Sequence, residues 1–240
     1  MKVFAYSASR NKASKTKQVV NFFIEELKNV EDVEVSIYTP DDINIEACRG
    51  CTTCFCGNEC VLDKKDNFGF IKKKMLEADI IILASPVYAS TISGDLKIFI
   101  DRISYLIHLM ALRGKIGIPI LTTSNNSLIE TNEYLDKIIN YLGAAVPFSI
   151  LCSVDYPKQF ESIEFRRKII PQYAQRTVAL YRGEEQYVVK RIQEVYFQKM
   201  KKFYNSKDKK TSEALYWEEN GMLKYNTYQE LLGDIKSGRT

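Results

Sequence analysis

Apolar and polar positions alternate in a regular way up to Cys152. Lys2–Tyr6 is a short apolar run, followed by the polar loop Ser7–Thr16. Val19, Val20, Phe23, Ile24 and Leu27 then recur at the i, i+3, i+4 spacing of one helix face. Val33–Tyr38 alternates as a second strand and ends at Thr39-Pro40. Phe68, Ile71, Met75 and Leu76 mark the next helix. Ile80–Ala84 is continuously apolar, as a strand covered on both faces of a parallel sheet must be. One amphipathic helix is predicted through Leu96, Phe99, Ile100, Ile103 and Leu106, and a fourth strand at Ile116–Leu121. A helix over Ile129–Leu142 precedes a fifth strand at Ala145–Cys152. Five strands alternating with helices predict a doubly wound α/β sheet, in which ligands sit beyond the carboxyl ends of the strands.

The pattern changes after Asp155. Phe160–Arg182 reads as helical but broken at Pro171, and Gln186–Tyr204 as a second helical stretch. Lys207–Lys210 reads as a turn, and the segment Tyr216–Gly221 as a helix end closed by glycine. The division expected is therefore 1–155 for the α/β domain and 156–240 for a helical extension packed on that domain or on a partner subunit. The aromatic positions Tyr187, Tyr196, Phe197, Phe203 and Tyr204 are expected to serve that packing rather than nucleic acid. The apolar stretch Ile98–Leu112 points to a homodimer or homotetramer. His108 lies within that stretch and reads as structural, and Asp101 with Arg102 as a surface ion pair or subunit contact.

Composition narrows the function classes. The chain has 240 residues, 45% of them hydrophobic, which is enough for a sizeable core. A net charge of +4, spread out except at Lys72–Lys74 and Lys199–Lys202, is too weak to argue for nucleic acid. No apolar run reaches the roughly 18–20 residues of a membrane span, and the first residues do not read as a signal peptide. A cytoplasmic protein is expected.

Three polar loops, Ser7–Thr16, Ser85–Gly94 and Thr122–Asn126, follow strands one, three and four and so meet at one sheet edge. Strand, hydroxyl-rich loop and helix form an anion site, with free amides and the positive helix end facing a phosphate. The first loop reads either that way or as a surface turn whose Ser14 caps the helix. Five of the six cysteines fall between Cys48 and Cys60. Clustered thiols without an export signal read as an iron–sulfur site, a zinc site or a redox-active thiol patch. Cys56 cannot ligate beside both near neighbours without strain and is left free, and Cys152 reads as inert core.

These motifs resemble the flavodoxin-like NAD(P)H-dependent FMN reductases and, within them, the iron–sulfur flavoproteins. Ser7-Ala-Ser-Arg10, with Ser14 and Thr16, sits where the family has its phosphate loop. Cys48-x-Gly-Cys51-x-x-Cys54, running on to Cys60, is similar to its cysteine segment, and Ala84–Tyr88 with Leu96–Arg102 to its second flavin loop and helix. The resemblance covers about residues 1–155. It implies a five-stranded parallel sheet of order 2-1-3-4-5 and an FMN held by Ser7, Ser9, Arg10, Ser14, Lys15 and Thr16 around the phosphate. Ser85, Pro86, Val87, Tyr88, Ser90 and Gly94 would line the ring edge, and Thr123, Ser124 and Asn125 its far side. It implies further that Cys48, Cys51, Cys54 and Cys60 hold a 4Fe–4S cluster or, as in flavin-only relatives, stay bare thiols. The function implied is FMN-dependent electron transfer from NAD(P)H or a reduced protein donor to a small acceptor, with no side-chain acid or base required. An electron carrier or redox sensor without its own substrate is the alternative. Ala8 departs from the family by removing one hydroxyl, and no glycine lies between Ser7 and Thr16.

Overall fold

The computed structural model describes every residue except Asn58, Asn125, 207–210 and 239–240. The expectations for Asn125 and for the turn at Lys207–Lys210 lie outside the described residues. The chain runs β1 (Lys2–Ser7), α1 (Lys15–Val30), β2 (Glu34–Tyr38), a short turn α2 (Cys54–Gly57), α3 (Phe68–Glu77) and β3 (Ile80–Tyr88). A two-residue strand β4 (Thr91–Ile92) precedes α4 (Gly94–Arg102) and the single turn α5 (Tyr105–His108). Then come β5 (Ile116–Thr123), α6 (Leu128–Tyr141) and β6 (Ile150–Ser153). The five long strands are parallel in the order β2-β1-β3-β5-β6, which is the 2-1-3-4-5 order expected, with β4 added as a hairpin on β3.

Alternation along the strands sends side chains to two separate cores. Phe4, Tyr6, Ile81 and Leu83 pack with α3, α4 and α6 through Phe68, Phe99 and Leu135. Val3, Ala5, Ile80 and Ile82 pack on the other face with α1 and the helix α7 (Ile170–Arg182) through Val19, Phe23, Ala174 and Val178. Both faces of the sheet are therefore dry, and polar chemistry is confined to its edges.

Three local expectations are corrected. The amphipathic run Leu96–Leu106 is not one helix: α4 stops at Arg102, where the Ile103 N–H is shared between Phe99 and Ile100 carbonyls, and α5 follows separately. The fifth strand does not span Ala145–Cys152. Ala145 makes only an isolated bridge to Ile116, because Pro147 supplies no ladder N–H, and pairing resumes at Ile150. Pro171 does not break its helix. It sits in the first turn of α7, where its missing N–H costs little, and a π-turn over Phe165–Ile169 feeds into it without interruption.

The tail continues as α8 (Arg191–Ser206), α9 (Ser212–Glu219) and α10 (Tyr228–Lys236). Gly221 adopts the left-handed conformation expected after α9, with φ 63°. Thr227 and Glu230 form a reciprocal capping box at the start of α10. A third core joins these helices: Phe197 stacks on Trp217 at 5.5 Å, and Tyr204 and Tyr228 complete it around Met110. The end of the apolar stretch at 98–112 meets this tail through Met110. Trp217 Nε1 donates to the His108 carbonyl at 2.9 Å and Tyr196 to that of Ile107 at 3.4 Å.

Trp217 is fully buried. Replacing it with alanine is expected to cost about 3–5 kcal/mol, read as a lower urea midpoint at unchanged m-value. Loss of tail helices alone, with the main transition unmoved, would contradict this packing.

Candidate functional site

Four loops meet at the carboxyl edge of the sheet and are sewn together by short hydroxyl bonds. Thr16 Oγ1 and Thr122 Oγ1 lie 2.6 Å apart, joining the loop after β1 to the end of β5. Ser93 Oγ donates to the Ala8 carbonyl at 2.8 Å, and the Ser93 amide donates to Ser85 Oγ at 2.8 Å. Ser90 and Ser127 hydroxyls meet at 2.9 Å. Ser153 Oγ donates to the Tyr156 carbonyl at 2.6 Å, next to the Ser124 carbonyl at 3.3 Å. The two-residue turn between β3 and β4 puts both Ala89 and Ser90 at positive φ, where Asn-Gly is the relaxed choice. That strain sits at the exposed tip beside Tyr88.

The expected phosphate residues divide into committed and open groups. Ser7 is fully buried and its hydroxyl has no partner among the described residues. A buried unpaired hydroxyl costs roughly 1–3 kcal/mol unless something bonds it. It lies on the same loop as the amino end of α1, whose first turn carries no acid and begins with Lys15. The Lys15 and Thr16 amides can have no intrahelical acceptor there. Ser9 is buried, and Ser14 caps the helix by accepting from the Lys17 amide at 3.2 Å, so both readings of Ser14 meet in one loop. Arg10 is engaged elsewhere. Its guanidinium forms a two-pronged pair with Asp95, the closest contact being 2.8 Å, because a carboxylate fork matches it better than open solvent.

Along the ring edge, Pro86 is buried, Val87 half-buried, and Tyr88, Ser90 and Gly94 are exposed. Tyr88 therefore does not fill a loop core. Ser85 cannot contact a ligand through its hydroxyl: it is fully buried, accepts from Ser93 and donates to the Pro86 carbonyl at 2.7 Å. Thr123 Oγ1 is engaged with the Asn126 carbonyl at 2.8 Å, while Ser124 is exposed. A cavity of about 280 Å³ lies at this edge between Thr123, Ser153 and Tyr156. The largest cavity, about 570 Å³, lies at the opposite edge between Lys115, Tyr181 and Leu232, far from the hydroxyl loops.

The cysteine segment connects β2 to α3. Cys48, Cys51 and Cys56 are exposed, Cys54 and Cys60 half-buried, and Cys152 buried. Burial pushes the Cys54 thiol up, and the thiols of Cys60, Cys48 and Cys51 act in the same direction. Cys51 is lowered instead, because Thr53 Oγ1 donates to its sulfur at 3.5 Å. A single zinc needs four sulfurs each about 2.3 Å from it. Among the described residues no group of three or more His, Cys, Asp or Glu side chains is arranged to hold a metal ion, so the thiols as placed form neither a zinc site nor a closed cluster site. The donor set suits the chemistry of a larger cluster bound by four thiolates.

Beneath this loop lies an ion network that the chain's pattern did not disclose. Arg102 is wholly buried rather than a surface residue, and it pairs with Asp63 and Asp66, while Asp101 pairs separately with Lys97 at 2.5 Å. Lys72 completes the network on Asp63. His108 reaches Glu213 of α9 at 2.8 Å and stacks 5.0 Å from Phe55 of the cysteine loop. The sign of the Arg102 network in the sequence is the pair of acids Asp63 and Asp66 just after the cysteines.

Comparison with known proteins agrees with this geometry. Residues 1–157 match the family described as NADPH-dependent FMN reductase. An iron–sulfur flavoprotein from Archaeoglobus fulgidus is 30% identical over 161 residues, covering 63% of this chain and 70% of that protein. Among solved structures, RosB with a bound flavin-like intermediate superposes with a TM-score of 0.64 at 14% identity, covering 87% of this chain and 88% of that one. An NADH:FMN oxidoreductase in its apo form gives 0.57 at 16% identity, covering 77% and 90%. At such identities these two superpositions establish the fold. No helix among the described residues is long and apolar enough to cross a membrane.

Two outcomes test the site. Burial pushes the Cys152 thiol up to about 12, so iodoacetamide at about pH 8 should alkylate loop thiols of metal-free native protein and reach Cys152 only after denaturation. Mass mapping of early Cys152 modification would contradict its placement. Burial acts to raise the Asp66 carboxyl, but the Arg102 guanidinium and the Glu46 and Phe68 amides outweigh it and hold the group low. With the folded pKa below the unfolded one, this stabilisation is complete above the ordinary carboxylate range and is lost as pH falls below about 4. Melting midpoints should therefore drop more steeply there for the wild type than for Asp66→Asn, and parallel profiles would refute the assignment.

Proposed function

The chain belongs to the NADPH-dependent FMN reductase family, in its iron–sulfur flavoprotein-like branch, and we propose that it takes electrons from NAD(P)H or a reduced protein donor and passes them to a small acceptor through FMN. The observation that carries this is Ser7: a buried, unpartnered hydroxyl set beside an acid-free helix start. A phosphate monoester supplies the acceptors that such a cradle lacks. Ser7, Ser9 and the first amides of α1 would hold the phosphate. Pro86, Val87 and Tyr88 would border the ring on one side and Ser124 on the other. When bound, FMN supplies hydride and single-electron chemistry. The residues themselves orient, exclude water and donate hydrogen bonds, and no side chain is asked to act as acid or base. Arg10, tied to Asp95, is left at the rim and does not neutralise the phosphate.

Cys48, Cys51, Cys54 and Cys60 would hold a four-iron cluster, which would supply single-electron transfer next to the flavin. The five free thiols of this one segment, three of them exposed, favour a second reading, an electron carrier or redox sensor without its own substrate. Cys56 remains outside the ligand set in either case.

Anaerobic purification followed by a visible spectrum and iron and acid-labile sulfide assays tests both parts. Flavin bands with about four irons and four sulfides per chain are expected for a full cluster. Rapid bleaching of the flavin by NADPH would favour the enzyme, and reduction only by a protein donor would favour the carrier. A colourless protein that takes up no FMN would overturn the reading. Ser7→Ala should weaken FMN retention by about ten- to a hundredfold while leaving the fold intact, as expected on losing a hydrogen bond to a charged group.

A further inference from the structure

The cysteine run is closed from beneath by one side chain. Arg102 ends α4, and its guanidinium faces the two flanks of the loop at once. Nη1 donates to the Glu46 carbonyl at 2.8 Å and to Asp66, and Nη2 donates to Asp63 at 2.9 Å and to Asp66 at 3.3 Å. Glu46 lies two residues before Cys48, and Asp63 three after Cys60. Asp66 ties the flanks a second time, since it also accepts from the Glu46 amide at 2.9 Å and the Phe68 amide at 3.1 Å. The guanidinium lies 5.0 Å over the Phe68 ring, and Lys72 balances the second carboxylate on Asp63. Two cations thus meet two anions in a largely buried site, with the Arg102 Nε left without a partner among the described residues.

We propose that Arg102 is the positioning residue of the cysteine loop: by joining Glu46 to Asp63 and Asp66 it keeps Cys48, Cys51, Cys54 and Cys60 within reach of one another. Apart from Cys54 and Phe55, which pack against the core, most described residues of the loop are exposed, so the distance between its ends sets how often the sulfurs converge. The planar fork of arginine can serve a carbonyl and two carboxylates together. A lysine keeps the charge but is a point donor on a different stem and cannot hold that pattern. The proposal rests on reading the four thiols as one centre and is independent of the flavin.

The test uses the full chain, with Arg102→Lys as the main variant and Asp63→Asn as a milder one that leaves Asp66 on the arginine. Phenylarsine oxide, which bridges neighbouring thiols, is titrated into chelator-treated protein, and iron per chain is measured after anaerobic reconstitution. Arg102→Lys should weaken arsenical capture by about tenfold or more, by lowering the effective concentration of one thiol near another. Asp63→Asn should give a smaller loss in the same direction. FMN content and far-UV circular dichroism should match the wild type in both. Unchanged arsenical capture in Arg102→Lys would overturn the proposal, as would equal loss of FMN, fold and capture in both variants. If wild-type protein captures the arsenical yet takes up no iron, the cluster fails while the positioning role stands.

Discussion

Everything polar in this molecule is placed by one constraint: a parallel sheet buried on both faces. Ile80–Ala84 can pair with β1 and β5 only while helices cover both sides, so none of these strands offers a wet surface. Hydroxyls therefore gather toward the carboxyl ends of the strands. Ser7, Thr123 and Ser153 are the last residues of β1, β5 and β6, and Ser85 lies in the second half of β3. Their convergence follows from parallel pairing, because every such strand ends at the same edge.

The tail answers a different problem. The apolar side chains of α4 and α5 join the sheet core, but Met110 just beyond α5 does not. Phe197, Trp217 and Tyr228 pack with it, and the Trp217 and Tyr228 polar atoms are satisfied by carbonyls of His108 and Gly143. The same tail touches the cysteine loop, where Ser212 Oγ donates to the Phe55 carbonyl at 2.9 Å and Glu213 holds His108. The extension is therefore part of the setting of the thiol loop as well as a cover for the domain.

The strands and the three convergent loops were legible because they depend on period and on strand ends, which sequence carries directly, whereas the sheet order came from the family resemblance. The cysteine spacing was legible directly. Boundaries were less so: Pro171 was read by residue type and Pro147 passed over inside the expected fifth strand, whereas the effect of each depends on its position within the element. The helix at 228–236 announced itself through Thr227 and Glu230, a capping pair that period alone passes over. Arg102 was unreadable because a charged residue on a helix is normally exposed, and only the fold brings Asp63 and Asp66 beneath it.

The hydroxyls at the loop edge show how a site can be crowded with donors and still select few of them. Ser85, Thr16 and Thr123 bond within the protein and so fix the loops relative to one another. Arg10 is paired with Asp95. On the reading proposed above, an anion would meet Ser7, Ser9 and the open amides of α1, a set that recognises by direction more than by charge. Ala8 fits this economy. Its amide and carbonyl are taken by Ala84 and Ser93. A hydroxyl there would sit on a wholly buried side chain. The loss of one family hydroxyl at that position therefore shifts the burden of binding to backbone geometry, and the bonds that lock the loops together are what give that geometry its precision.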